Sequence, residues 1–92
     1  MTTKPNVEIE RIHFLSGEGT TKAFCDILIS DSFIVKGLRV VHGKDGLFLS
    51  MPREQGRDGK WYDTFRPNSK EIRKEMEELV LKNYNQKLSQ DA

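Results

Sequence analysis

Hydrophobic and polar residues alternate through the first two thirds of the chain, which is the period of β-strands with one buried face. Short turn sequences rich in glycine, aspartate and serine separate the alternating runs. The pattern predicts five strands, at about residues 7–15, 21–30, 33–42, 47–52 and 60–65. Because short turns join consecutive strands, we expect a five-stranded antiparallel β-meander.

Details of the alternation predict which side chains are buried. In the first run the apolar phase slips once, at Glu10 and Arg11, and a β-bulge there would restore one buried face. The second run alternates without interruption and places Cys25, the single cysteine, on its apolar face, so a buried thiol is expected. On the third run, three residues are predicted to face the core: Ile34, Leu38 and Val40.

After Pro67 the period changes to that of an amphipathic helix. Asn68 and Glu71 have the spacing of a capping box, which marks a helix N-terminus. The apolar residues that follow form one stripe: Ile72, Met76, Leu79, Val80 and Tyr84. The sequence therefore predicts an α+β fold, with residues 1–92 as a single domain and an amphipathic helix at about residues 69–87 on or beside the sheet.

The overall composition is typical of a globular domain. Of the 92 residues, 36% are hydrophobic and 32% are charged. The apolar runs are far shorter than the roughly 20 residues that a membrane-spanning helix requires. The first residues lack the apolar segment of a signal peptide. We therefore expect a cytoplasmic protein that has no membrane partner.

Residues that commonly carry enzymatic chemistry are sparse. With two histidines and one cysteine, the chain has no usual metal-ligand spacing. It also lacks a nucleophile elbow and the glycine motifs that bind nucleotide phosphates. Asp58 and Asp63 are paired acids on a solvated hairpin, where we expect no pKa shift that would suit acid and base catalysis. The sequence predicts a non-enzyme with no cofactor, no metal and no small-molecule substrate.

Positive charge is concentrated in one part of the chain. The net charge is +1, but residues 53–74 contain seven bases and four acids, a local charge of +3. Basic side chains bind nucleic-acid phosphates and release their counterions, and the free amides of a helix N-terminus also favour an anion. The candidate nucleic-acid contacts lie on a turn and around the helix start: Arg53, Arg57, Lys60, Arg66, Lys70, Arg73 and Lys74.

Two aromatic residues, Trp61 and Tyr62, follow the basic turn. Neighbouring residues of a strand point to opposite faces, so we expect one ring in the core and the other exposed. An exposed ring could stack on an unpaired base. The alternatives are that both rings belong to the core and that the charged turn is only a solvated surface.

A longer motif extends from Phe33 to Pro67 and reads FIVKGLRVVHGKDGLFLSMPREQGRDGKWYDTFRP. It contains Gly-Leu-Phe-x-x-Met-Pro at residues 46–52, a basic loop, Asp-Gly at residues 58–59 and an aromatic strand that ends at Asp63. This combination resembles the SpoVG family, the stage V sporulation protein G or septation-regulator proteins of bacteria. With the weaker opening strand, the resemblance covers roughly residues 7–86.

The resemblance implies a homodimer that binds DNA and RNA with site preference and regulates gene expression in cell division and sporulation. It places binding in the loop after Met-Pro, here REQGRDGK. The family often has adjacent Lys-Arg in this loop, whereas this chain has Glu54-Gln55, and Arg66 stands where a histidine is common. We expect Arg57, Lys60 and Arg66 to compensate. The rival hypothesis is a protein-interaction module that acts on division or envelope machinery without nucleic acid.

Overall fold

Six strands and one helix make up the part of the chain that a computed structural model describes, residues 5–17 and 19–90. The elements are β1 (Val7–Phe14), β2 (Thr21–Ile29), β3 (Phe33–Gly43), β4 (Gly46–Ser50), β5 (Arg53–Gln55), β6 (Trp61–Asp63) and α1 (Lys70–Gln90). β1 to β4 form an antiparallel main sheet in sequential order, and β5 and β6 form a separate two-stranded sheet. The predicted α+β class is confirmed.

The fifth predicted strand does not extend the main sheet. Its central residues form β6, which pairs with β5. The expected five-stranded meander is therefore divided into a four-stranded sheet and a separate hairpin. Pro52, between β4 and β5, explains the division because it is buried and has no N–H with which to continue a ladder. The N–H of Thr64 donates to the Pro52 carbonyl at 2.9 Å and closes the base of the hairpin.

A bulge in β1 coincides with the slip in the apolar pattern. The register of β1 against β2 shifts between Ile9 and Arg11. Ile9 and Ile12 both pack against the core, although they are separated by three positions rather than two. The extra residue returns the apolar side chains to one face, so the predicted bulge is confirmed.

A second bulge, in β3, changes which residues of that strand face the core. Between the pairs Cys25–Leu38 and Ile27–Val35, β3 contains one residue more than β2. The added length is taken up at Gly37, whose φ of 91° lies in the left-handed region that favours glycine. As a result Val35 packs against the core and Ile34 is exposed, so the prediction for Ile34 is wrong. The other two residues predicted for this face are buried: Leu38 and Val40.

The core lies between the inner face of the main sheet and α1. The sheet contributes Ala23, Cys25, Ile27, Leu38, Val40 and Leu49, all buried. The helix contributes the predicted stripe, with Met76, Val80 and Tyr84 buried and Ile72 and Leu79 half-buried. The ring of Tyr84 packs on that of Phe14 in β1, with a centroid distance of 5.2 Å. No helix in the described part of the chain is long and apolar enough to cross a membrane.

The N-terminus of α1 is capped by Ser69. Its Oγ accepts a hydrogen bond from the N–H of Ile72 at 3.2 Å. The N-cap is therefore Ser69 and not Asn68, so the prediction for Asn68 is wrong. Ser69 directly precedes the first helical residue, and from that position a hydroxyl reaches the amide three residues further on. The helix continues beyond its predicted end, to Gln90.

The outer face of the main sheet, opposite α1, carries aromatic and basic side chains. The register places Phe24 opposite Arg39 and Phe48 opposite Val41. The side chains of Phe24 and Phe48 are equally exposed, at 41%. This face thus presents rings to its surroundings rather than to the core.

Candidate nucleic-acid interface

The basic loop between β5 and β6, residues 56–60, has a defined backbone. The N–H of Gly56 donates to the Lys60 carbonyl at 2.8 Å, and the N–H of Gly59 donates to the Gly56 carbonyl at 3.1 Å. Gly59 has a φ of 82°, in the left-handed region that favours glycine. The side-chain amide of Gln55 adds a hydrogen bond to the Gly59 carbonyl. These contacts fix the loop with Arg57 and Lys60 exposed on it.

Asp58 organises this loop from within. One carboxylate oxygen accepts a hydrogen bond from the N–H of Lys60 at 3.0 Å, and the other accepts one from the hydroxyl of Tyr62. The hydrogen bond from Tyr62 lowers the pKa of Asp58, and the bond from Lys60 lowers it further. The same contact with Asp58 raises the pKa of Tyr62. The expectation of an unshifted Asp58 is therefore wrong, since the sequence does not reveal that the loop and β6 each supply a donor to this carboxylate.

Arg53 and Asp63 form an ion pair across the base of the hairpin. They face each other in the register of β5 and β6, and the Nε of Arg53 donates to Oδ1 of Asp63 at 3.0 Å. The two side chains are 51% and 34% exposed. The bond uses only Nε, so the terminal nitrogens of the guanidinium are left for another acceptor. The pair therefore orients Arg53 on the surface of the hairpin.

Both aromatic residues of β6 are exposed. Trp61 is 60% exposed and Tyr62 is 52% exposed, so the prediction that one of them lies in the core is wrong. Their strand belongs to a two-stranded sheet, and the core of the described chain lies under the main sheet instead. The two rings therefore offer apolar surface beside the basic residues.

Four candidate residues meet in one cleft of about 460 Å³ on the hairpin. Arg53, Trp61, Tyr62 and Arg66 line it together with Asp63. The sequence placed these residues in one region, and the structure brings two of the cations and both rings together. A guanidinium beside an exposed ring suits phosphate contact and base stacking at adjacent points.

A second cleft, of about 430 Å³, lies between the outer face of the main sheet and the hairpin; we call it the sheet–hairpin cleft. The hairpin and the residues on either side of it supply Pro52, Arg53, Glu54, Trp61 and Thr64. The main sheet supplies Phe24, Lys36, Gly37 and Arg39. Sequence reasoning did not single out the residues of the main sheet. One signal was present, because alternation places Phe24 on the polar face of β2, where a large ring is unusual.

The remaining candidates lie elsewhere. Arg57 and Lys60 are on the loop. Lys70, Arg73 and Lys74 are exposed on the first turns of α1, and among the described residues none of the three lines either cleft. The helix itself packs on β1 and β4. The candidates therefore form a hairpin group and a helix group, with Arg66 in the segment between them.

No cluster of three or more ligating side chains that could hold a metal ion occurs in the described segments. The candidate interface consists instead of cations, exposed rings and hydrogen-bonded acids. These groups can bind an anionic and partly aromatic ligand by contact alone.

Comparison with known proteins gives a consistent family. The sequence model described as SpoVG matches residues 5–86. A protein of Archaeoglobus fulgidus named septation protein SpoVG is 42% identical over 74 residues, covering 80% of this chain and 87% of the relative. Proteins with the same name from an Anaeromyxobacter species and from Staphylococcus saprophyticus are 37% and 36% identical, covering 86% and 80% of this chain and 81% and 73% of their own lengths.

Proposed function

This chain belongs to the SpoVG family, and from that membership and the geometry of the hairpin we propose that it is a dimeric regulator of gene expression that binds DNA or RNA. The names of its relatives support an association with septation, and we extend this to sporulation-type control. We propose that it acts in the cytoplasm and without catalysis. The interface is the hairpin of β5 and β6, with the start of α1 as a second source of phosphate contacts.

The observation that carries this proposal is the shared cleft of Arg53, Arg66, Trp61 and Tyr62. Cations give affinity for any phosphate backbone, whereas exposed rings favour a ligand that also has aromatic bases. A solvated turn without a ligand would require neither large exposed ring. We expect Arg57, Lys60 and Arg66 to offset the loss of the family's adjacent Lys-Arg.

Dimerisation supports binding because one hairpin offers few cations. Two copies related by a two-fold axis would double the basic surface along one nucleic acid. Of the two strands that border the main sheet, β4 is partly occupied, because the N–H of Leu49 donates to Oε2 of Glu77 at 3.2 Å. We therefore propose that β1 is the pairing edge. Mass measurement in solution, with a proline substitution at Val7, whose N–H points away from β2, tests this edge.

The test of function is a titration of labelled duplex DNA and single-stranded RNA at low and high salt. If about five phosphates are neutralised, the slope of log affinity against log salt for duplex DNA is near −4.5. The double reversal Arg53→Glu with Arg57→Glu should abolish binding. The neutral pair Arg53→Gln with Arg57→Gln avoids placing a new acid beside Asp63 and should weaken binding strongly.

A matched control has the same total charge as the double reversal of Arg53 and Arg57. Lys44→Glu with Lys82→Glu makes the same charge change on the β3–β4 turn and on the outer surface of α1. It should keep most of the affinity. Circular dichroism and thermal melts check that all variants fold. Retained binding in the Arg53 and Arg57 variants would refute the assignment of the hairpin.

A protein-interaction module is the second candidate function. It is favoured by one observation: Phe33 and Ile34, at the start of β3, are both exposed and adjacent. This hypothesis predicts salt-insensitive, weak behaviour toward nucleic acid and a defined protein partner. Phe33→Ser with Ile34→Ser should abolish capture of that partner and leave the nucleic-acid titration unchanged.

A further inference from the structure

We propose that the sheet–hairpin cleft binds an unpaired nucleic-acid strand, with Trp61 and Phe24 as base-stacking surfaces and Arg39, Lys36 and Arg53 as backbone contacts. This inference rests on the proposed function and narrows it from nucleic acid in general to single strands. It also adds residues of the main sheet to an interface otherwise assigned to the hairpin and the helix.

The two rings come from different sheets and line the same cleft. Trp61 lies on β6 and is 60% exposed, and Phe24 lies on β2 and is 41% exposed. A ring that lines an open cleft can accept the face of a base, and this stacking tolerates any sequence. Two such rings in one cleft can each stack on a base of the same strand.

The charges of the cleft fit a polyanion. It contains three cations, Arg39, Lys36 and Arg53, and one acid, Glu54. Arg39 is held between neighbours because it faces Phe24 on β2 and Ser50 on β4. Among the described residues, neither Arg39 nor Lys36 has an ion-pair partner. Their charge is therefore available to phosphates that pass over the outer face.

The exposed rings of the cleft favour an unpaired strand over a duplex. In a double helix the base faces are stacked on one another, so a ring can reach them only after a base is flipped out or unpaired. A cleft of about 430 Å³ has room for one or two nucleotides of such a strand.

The chain provides its own probe, since Trp61 is its only tryptophan. When the full-length protein is titrated with a single-stranded oligonucleotide, the fluorescence of Trp61 should be quenched until binding saturates. The same sequence annealed to its complement should bind at least about tenfold more weakly at equal salt and cause little quenching. Anisotropy of a labelled oligonucleotide gives affinities that do not depend on the tryptophan.

Matched variants separate stacking from folding. Phe24→Leu and Trp61→Leu should each weaken single-strand binding by at least about fivefold, near the lower limit for the loss of one stacked base. Phe48→Leu is the control, because Phe48 lies on the same face with the same 41% exposure but does not line the cleft. It should leave affinity unchanged. Arg39→Gln should reduce the salt slope for single strands by about 0.7.

The outcomes distinguish this inference from the proposed function. If duplex and single strand bind equally, and Phe24→Leu matches Phe48→Leu, the cleft assignment is overturned. Loss of binding in the Arg53 and Arg57 variants would in that case still support the hairpin. If wild-type protein binds neither probe at low salt, the proposed function fails and this inference fails with it.

Discussion

Asp63→Asn should tighten nucleic-acid binding through its neighbour Arg53. The Oδ1 of Asp63 accepts the hydrogen bond from Nε of Arg53 at 3.0 Å. Asparagine has the same shape and keeps an oxygen acceptor, so the guanidinium retains its orientation. The substitution removes the negative charge that otherwise competes with a phosphate for Arg53.

The structure sets the size of both effects. Because the two side chains are 51% and 34% exposed, loss of their ion pair should cost the fold only about 0.2–1 kcal/mol. On duplex DNA, one further effective phosphate contact changes the salt slope from about −4.5 to about −5.4. At about 0.1 M monovalent salt the additional contact corresponds to roughly eightfold tighter binding.

The assay is a titration of labelled duplex DNA at a series of salt concentrations, accompanied by a thermal melt. Asp45→Asn is the matched control, because Asp45 is exposed on the turn between β3 and β4 and its substitution makes the same change in net charge. The control should alter affinity far less than Asp63→Asn. Equal gains in the two variants would indicate a general charge effect. Weaker binding by folded Asp63→Asn would show that Arg53 depends on the Asp63 charge for its position, and would refute the reasoning.

Three further predictions concern the fold and the hairpin. Burial raises the pKa of the Cys25 thiol to about 11, so it should react with a thiol reagent at pH 8 only after denaturation; fast native reaction would contradict its burial. Because Leu38 is completely buried, Leu38→Ala should lower the free energy of unfolding by about 2–5 kcal/mol in urea titrations, and a clearly smaller loss would contradict tight packing at this site. Because folding lowers the pKa of Asp58, the stability that this carboxylate gives the hairpin is present above its unfolded pKa and is lost as pH falls through its folded pKa. Trp61 fluorescence should show this acid transition. Tyr62→Phe should shift the transition to higher pH, because it removes the main hydrogen bond that lowers the pKa of Asp58.

The strands of the main sheet are predictable because each buries one face against α1. Alternation then reports burial directly, and even the bulge in β1 appears as a slip in phase. The bulge in β3 leaves no such mark. Phe33, Ile34 and Val35 are all apolar, so the sequence does not show which of them faces the core; the backbone at Gly37 decides it.

The hairpin is less predictable because it has no buried face. β5, Arg53–Gln55, contains no apolar residue, so it gives no alternation from which a strand could be inferred. β6 is aromatic, and this composition predicts a strand of the main sheet, since rings in strands usually lie in a core. What separates β6 from that sheet is the turn of the chain at Pro52 and the pairing of Arg53 with Asp63.

The sheet–hairpin cleft could not be read from local sequence because its two walls are far apart in the chain. Phe24, Lys36 and Arg39 are brought beside Arg53 and Trp61 only by the register of β2 to β4 and the position of the hairpin. A local charge count therefore finds only one of the three cations in this cleft, Arg53. Lys36 and Arg39 become visible only when the outer face of the sheet is known.

The acids of the hairpin explain why so much charge is placed on a short bend. Of the three acids in the hairpin, Asp58 holds the loop and Asp63 orients Arg53, so these two have partners within the hairpin. Arg57 and Lys60 are exposed and have no ion-pair partner in the described part of the chain. A loop fixed in this way loses less conformational entropy on binding than a flexible one, and fewer contacts then suffice for a given affinity. We therefore interpret Asp58 and Asp63 as hydrogen-bond acceptors that support a preorganised basic edge. Asp63→Asn keeps the acceptor and removes only the charge, whereas Tyr62→Phe removes a donor to Asp58.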